Sequence, residues 1–262
     1  SSLLLQNQKL YTPTEIKQFY KNEKSFSEHF FPARYIHFDK FLREHLSKDD
    51  EILSIASGPC INEIKLLKEG FKITCSDLDT QFFDDAKKIF GDSRFIKLNC
   101  VNDKPSKIYD AIISLSLIYT FNNEQLDSMF NNVSNGLKIG GKFILDSAGS
   151  EDNFLSYIIN DLYLCVESNL IYYVGKLIMK KYKTLEKKEH GWRRTNQEII
   201  NCANKYGLDI VTIKNYDYLT EFNRSYILRK FKIFDYYLMR KIFYFVGYLV
   251  PYIRMFEFRK HH

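Results

Sequence analysis

The sequence predicts an α/β protein built on a doubly wound sheet of about seven strands, mostly parallel with an antiparallel last strand, and carrying helical insertions. Three observations point there. Short apolar runs alternate with helix-patterned segments, an order that makes parallel strands with helices on both faces. Capping signals open several of those segments. The stretch Glu51-Ile-Leu-Ser-Ile-Ala-Ser-Gly-Pro-Cys-Ile-Asn-Glu63, followed by Ile73-Thr-Cys-Ser-Asp77, joins a strand, a bend of small residues and a second strand ending in a carboxylate. Such sheets hold nucleoside-bearing ligands in a cradle of that kind.

The elements follow in order. Residues 1–48 read as N-terminal helices: Thr12-Pro13-Thr14-Glu15 is a capping box with proline at the first helical position, opening a helix to Asn22, and a second runs from Pro32 through Leu46. Strand-like runs occupy 52–56, 72–76, 94–98, 109–114 and 141–147. Asp79 or Thr80 opens a helix that stops before Gly91, and Asn122 opens another that stops near Gly136. After Ser147 a helical insertion spans 150–190, with Phe154, Ile158, Leu162, Val166, Tyr173 and Leu177 at helical spacing. Thr195-Asn-Gln-Glu198 is a capping box for a helix ending at Gly207, ahead of a strand at 209–215. A second insertion, 224–251, is aromatic and basic and is closed by Pro251; Ile253-Arg-Met-Phe-Glu-Phe-Arg259 then alternates like an edge strand. The expected organisation is one domain over 1–262, with the two insertions forming a cap.

Small residues at Ala56, Ser57 and Gly58 let the backbone bend sharply and approach a ligand, where a larger side chain would intrude. Asp77 ends the next strand, where a carboxylate accepts hydrogen bonds from ribose hydroxyls. A dinucleotide site would also want G-x-G-x-x-G. Here Ala56 stands at the first glycine's place and Pro59 lacks the amide a pyrophosphate would use, which suits a ligand with a ribose and no phosphate.

On these residues the chain resembles the class I S-adenosylmethionine-dependent methyltransferases, whose fold is Rossmann-like. Their glycine-rich motif is similar to Leu53-Ser-Ile-Ala-Ser-Gly-Pro-Cys60, their ribose-binding acid matches Asp77, and their third-strand motif resembles Phe95-Ile-Lys-Leu-Asn-Cys100. Tyr109 to Tyr119 resembles the fourth-strand motif, and Leu137-Lys-Ile-Gly-Gly-Lys-Phe-Ile-Leu-Asp146 the Gly-Gly turn into the fifth strand. The likeness covers residues 30 to 150 and resumes more weakly from Gly191. It implies S-adenosylmethionine as cofactor and S-adenosylhomocysteine as product. It also implies cofactor contacts from Ala56, Ser57, Gly58, Pro59, Asp77, Leu78, Asn99, Cys100, Ser114, Leu115 and Ser116. Family members usually carry an acidic residue where this chain has Ser54 and glycine where it has Ala56, which leaves open how the methionine ammonium is held.

Methyl transfer is an in-line displacement, so the protein must align an acceptor and take up a proton. His37 in Tyr35-Ile-His-Phe and His190 before Gly191 are the candidate bases, because a histidine titrates near neutrality, and Tyr119 just beyond the fourth strand is a third candidate. Asp146 could serve as base or metal ligand, but no second carboxylate stands at a convincing spacing, so no metal is expected. Tyr35, Arg193 and Arg194 are candidate acceptor contacts. If the arginines point inward, the acceptor carries a phosphate or carboxylate. A looser similarity to methyltransferases of bacterial surface-polysaccharide gene clusters suggests a phosphorylated or nucleotide-linked precursor. Two alternatives stay open: an aminopropyl-type transferase, which Ser57-Gly58-Pro59 faintly resembles, and a non-catalytic module that binds the same cofactor.

Composition narrows the partners. The 262 residues carry a net charge of +6, which favours anionic partners, but the charge is spread out and no nucleic-acid reader motif appears. Cys60, Cys75, Cys100, Cys165 and Cys202 are too scattered for a zinc site and read as small apolar residues of a reducing, cytoplasmic compartment. No signal-peptide pattern leads the sequence. The apolar run near 240–251 is too short to span a bilayer; packing within the cap is the expected role, and interfacial membrane contact the lesser one. Nothing in the sequence fixes an oligomeric state.

Overall fold

A computed structural model describes residues 32–80, 83–148, 170, 192, 194–216, 228, 230–249 and 253–261. The helix expected at 12–22 and nearly all of the 150–190 insertion lie outside the described residues. The chain forms two compact units, one of residues 1–146, 197–214 and 255–262, the other of 147–196 and 215–254.

In chain order the elements are α1 (Pro32–His45), β1 (Glu51–Ile55), α2 (Glu63–Lys68), β2 (Lys72–Asp77), α3 (Phe83–Phe90), β3 (Phe95–Lys97) and β4 (Tyr109–Ser114). Then come α4 (Asn123–Gly136), β5 (Leu137–Ala148), α5 (Asn196–Asn204), β6 (Leu208–Tyr216), α6 (Tyr237–Leu249) and β7 (Ile253–Lys260). The sheet order is β3-β2-β1-β4-β5-β7-β6, with six strands parallel and the last antiparallel.

Local chemistry accounts for the boundaries. Asn122 caps α4 through a full capping box: its side chain accepts from the Gln125 amide at 2.9 Å, and the Gln125 side chain accepts from the Asn122 amide at 3.0 Å. At the end of α2, Gly70 turns left-handed (φ +92°), and the Phe71 amide reaches back to the Leu66 carbonyl at 3.0 Å, satisfying carbonyls the helix leaves open. The Gly140-Gly141 pair, expected as a turn into the fifth strand, lies inside β5, which already begins at Leu137. A Cβ on Gly141 would lie 2.8 Å from the Lys138 carbonyl oxygen and 3.2 Å from that of Asp110, at the irregularity in the β4/β5 register. Both obstacles are backbone, so neither can step aside. Gly141→Ala is expected to destabilise the protein by about 2 kcal/mol, read as a lowered urea midpoint; an unchanged midpoint would contradict that crowding.

One expectation needs correcting. The alternation at 253–259 suggested an edge strand, but β7 lies between β5 and β6, and its first six residues are all buried. The polar positions do not face water. Arg254 donates to the Ser147 hydroxyl at 3.2 Å and the Arg194 carbonyl at 2.8 Å, while Glu257 is bonded to His45 and, at 3.2 Å, to Arg259. Buried polar groups with partners mimic solvent-facing ones in a sequence pattern. The core of the first unit fills around Phe130, Phe143, Phe256 and Phe258. Phe130 meets Phe143 edge-on with ring centroids 5.5 Å apart.

Candidate active site

The carboxyl ends of β1, β2 and β4 are level, since Ile55 pairs with Ser76 on one side and Ser114 on the other. Strand order reverses beside β1, between β2 and β4, and such a switch point opens a crevice. The chain leaves β1 through a bend with Ala56, Gly58 and Cys60 at φ of 52°, 51° and 53°. Left-handed backbone favours glycine, so Ala56 holds a glycine-like conformation at a steric cost. A Cβ on Gly58 would meet nothing within 4 Å, so this face of the bend has room for a ligand.

Asp77 ties the bend to β2. Its Oδ2 accepts from the Gly58 amide at 2.8 Å and its Oδ1 from the Asp79 amide at 3.0 Å. The Ser57 amide meets the Ser76 carbonyl at 2.9 Å. Burial pushes the Asp77 carboxyl above its ordinary pKa, while the two amides pull the other way. Each carboxylate oxygen keeps a lone pair for a further donor, such as a hydroxyl. The amide that Oδ1 receives comes from Asp79, one of the two residues expected to open the next helix. Leu78 is exposed beside them.

The first residue of α2 carries a buried carboxyl group. Glu63 is 2% exposed and accepts from Ser54 Oγ at 2.6 Å, while its Oε2 has no hydrogen-bond partner among the described residues. Desolvation raises its pKa to about 7. The one signal that could have found it is Ser54 itself, standing where an acid was expected. Cys60 and Cys75 lie fully buried nearby, and burial raises both thiols.

Past β3, the Asn99 side chain accepts from the Val101 and Asn102 amides at 3.1 and 3.3 Å, and its own amide donates to Asp103 at 2.9 Å. Asn99 therefore organises a turn. The Cys100 thiol is pushed up to about 12, first by burial and then by the Asp77 charge. Ser114 at the end of β4 and Leu115 just beyond it are buried, and Ser116 adopts φ 56° with its amide donating to the Asp146 carboxylate. Asp146, buried at the end of β5, fixes that left-handed turn. Tyr119 follows half-buried in a short 3-10 turn, Ile118–Thr120.

The other candidates are placed separately. His37 is half-buried in α1, and Tyr35 belongs to the same helix. Arg194, expected in a turn that could be solvated, is 3% exposed, and its carbonyl accepts from the equally buried Arg254. His190 and Arg193 lie outside the described residues. Among the described residues no group of three or more His, Cys, Asp or Glu could hold a metal ion.

No family model matches the chain, and neither does any curated protein. Solved structures do. A SAM-dependent methyltransferase from Methanosarcina mazei is 14% identical over 84% of this chain and 96% of its own, with a TM-score of 0.56. The 1,6-didemethyltoxoflavin N1-methyltransferase from Burkholderia thailandensis, solved with that compound and S-adenosylhomocysteine, is 10% identical over 95% of this chain and 87% of its own, at 0.56. The geranyl diphosphate C-methyltransferase from Streptomyces coelicolor, solved with Mg2+, geranyl diphosphate and S-adenosyl-L-homocysteine, is 13% identical over 85% and 76%, at 0.53. The chain thus has the Rossmann-like fold of the SAM-dependent methyltransferases.

Proposed function

We propose that the protein is a SAM-dependent methyltransferase that moves a methyl group to an oxygen or nitrogen of a small, anionic acceptor. The observation that carries this is the left-handed bend at Ala56–Cys60, pinned by its Gly58 amide to a carboxylate at the end of β2. Neighbours of the same fold were solved with the demethylated cofactor.

The residues present fit that cofactor. Asp77 takes the ribose hydroxyls, the open face of Gly58 lets the backbone lie against the ligand, and Cys100 with Asn99 borders the adenine. Glu63 supplies the carboxylate for the methionine ammonium, displaced nine positions along the chain from the serine it is bonded to. The cofactor supplies an activated methyl group. What the chain contributes is alignment: Asp146 and the Ser116 turn shape the end of β4, with Tyr119 one turn further on. His37, His190 and Tyr119 remain the candidates for accepting the acceptor's proton.

Support for an anionic acceptor comes from the Arg193-Arg194 pair ahead of α5 and from the chain's net charge of +6. A phosphate- or nucleotide-linked precursor of a surface glycan fits that chemistry; its glycan part rests on the looser sequence similarity alone. Titration calorimetry with S-adenosylmethionine and S-adenosylhomocysteine tests the reading. Saturable binding of both is expected, and the absence of binding by either would end it. The product's added mass separates a methyl from an aminopropyl-type group, and a binder with no turnover on any acceptor would be a non-catalytic module.

A further inference from the structure

The second unit carries an apolar surface that the proposed methyl transfer does not invoke. From residue 231 to 245, six large apolar side chains face solvent: Phe231 at 64%, Tyr236 at 65%, Tyr237 at 72%, Leu238 at 68%, Ile242 at 46% and Phe245 at 62% exposure. Scattered single apolar residues on a surface need no explanation, but a contiguous group does. On α6, Leu238, Ile242 and Phe245 stand at i, i+4 and i+7 and so share one stripe. Beside it, Lys241 Nζ lies 4.6 Å from the centroid of the Tyr237 ring.

Cations are interleaved with these rings. Lys232, Arg240 and Lys241 fall between residues 231 and 245, against a single acid, Asp235. That mixture selects among occupants. A second copy of the chain meeting this face across a two-fold axis would bring like charges together, and protein interfaces are depleted of lysine. A nucleic acid would use the cations and the rings but has no place for the aliphatic Leu238 and Ile242. An anionic lipid surface uses all three: aromatic rings at headgroup level, aliphatic side chains below them, and lysine and arginine against the phosphates. No described helix is long and apolar enough to cross a membrane, which suits an element lying in the interface plane.

We propose that residues 230–245 dock the protein on an anionic membrane surface, with Leu238, Ile242 and Phe245 inserted and the flanking cations held by lipid headgroups. The proposal is independent of methyl transfer, because lipid binding is read without cofactor or acceptor.

The test is flotation of the full chain with vesicles of phosphatidylcholine alone and of phosphatidylcholine mixed with phosphatidylserine. Wild type is expected to float with the mixed vesicles only, and less at high salt. Leu238→Ser/Ile242→Ser/Phe245→Ser and, separately, Arg240→Glu/Lys241→Glu should each lower partitioning about tenfold or more, with unchanged circular dichroism because the side chains are exposed. Wild type that stays with neither vesicle would overturn the proposal. So would triple-variant protein that floats like wild type, or exposed rings that instead drive dimerisation in light scattering or binding to single-stranded RNA.

Discussion

Replacing Asp77 with alanine is expected to weaken S-adenosylhomocysteine binding by about a hundredfold or more while leaving the protein folded. Two losses combine. The ribose loses a charged acceptor, and charge-assisted hydrogen bonds contribute about 1.5–3 kcal/mol each. The Gly58 and Asp79 amides lose the oxygens that now hold the bend, at 2.8 and 3.0 Å. Asp77→Asn separates the two effects, because its one amide oxygen can keep a single backbone contact but offers no charge. Calorimetry should rank wild type far above the asparagine variant and that above alanine. An alanine variant that binds like wild type would remove Asp77 from the site.

The second large effect concerns Glu63 and pH. Its folded-state pKa of about 7 lies above the ordinary 4.5, so between those values the folded chain holds a proton that the unfolded chain has released. Stability is therefore greatest below pH 4.5 as far as this group is concerned, and it is lost as pH rises through 7. The full loss is about 3 kcal/mol on the order-of-magnitude scale of such shifts. Glu63→Gln keeps an acceptor for Ser54 and carries no charge, so its urea midpoint should lack this slope and exceed wild type at pH 8. Equal slopes for the two proteins between pH 5 and 8 would exclude Glu63 as the source. The same variant should bind cofactor less well, since no carboxylate would face the ammonium. Wild type should release a proton on binding, which calorimetry in buffers of different ionisation enthalpy detects.

Much of the fold was legible because local signals and global order agreed. The Asn122 cap and the apolar runs of β1, β2 and β4 each announce themselves within a few residues. Asp77 stood out as a candidate for a similar reason: a carboxylate at the end of a buried strand has few structural uses. Three things were not. The place of β7 inside the sheet depends on pairing with strands far away in sequence, and its buried Arg254 and Glu257 imitate an exposed edge. Glu63 looked like an ordinary first-turn acid, because only packing reveals that it is buried against Ser54. Asp146 offered itself as a base, whereas its amide partner at Ser116 shows a positioning use.

The three left-handed non-glycine residues that border the crevice, Ala56, Cys60 and Ser116, store conformational energy of about 1–3 kcal/mol each. Energy held at a rim is released when that rim loosens. Without a ligand, the backbone there would breathe ahead of the sheet beneath it, exchanging its amide protons soonest among the strand-end segments. If the bend binds the proposed cofactor, occupancy is expected to quiet the rim, and slowed amide exchange at these twisted residues would report the guest's arrival.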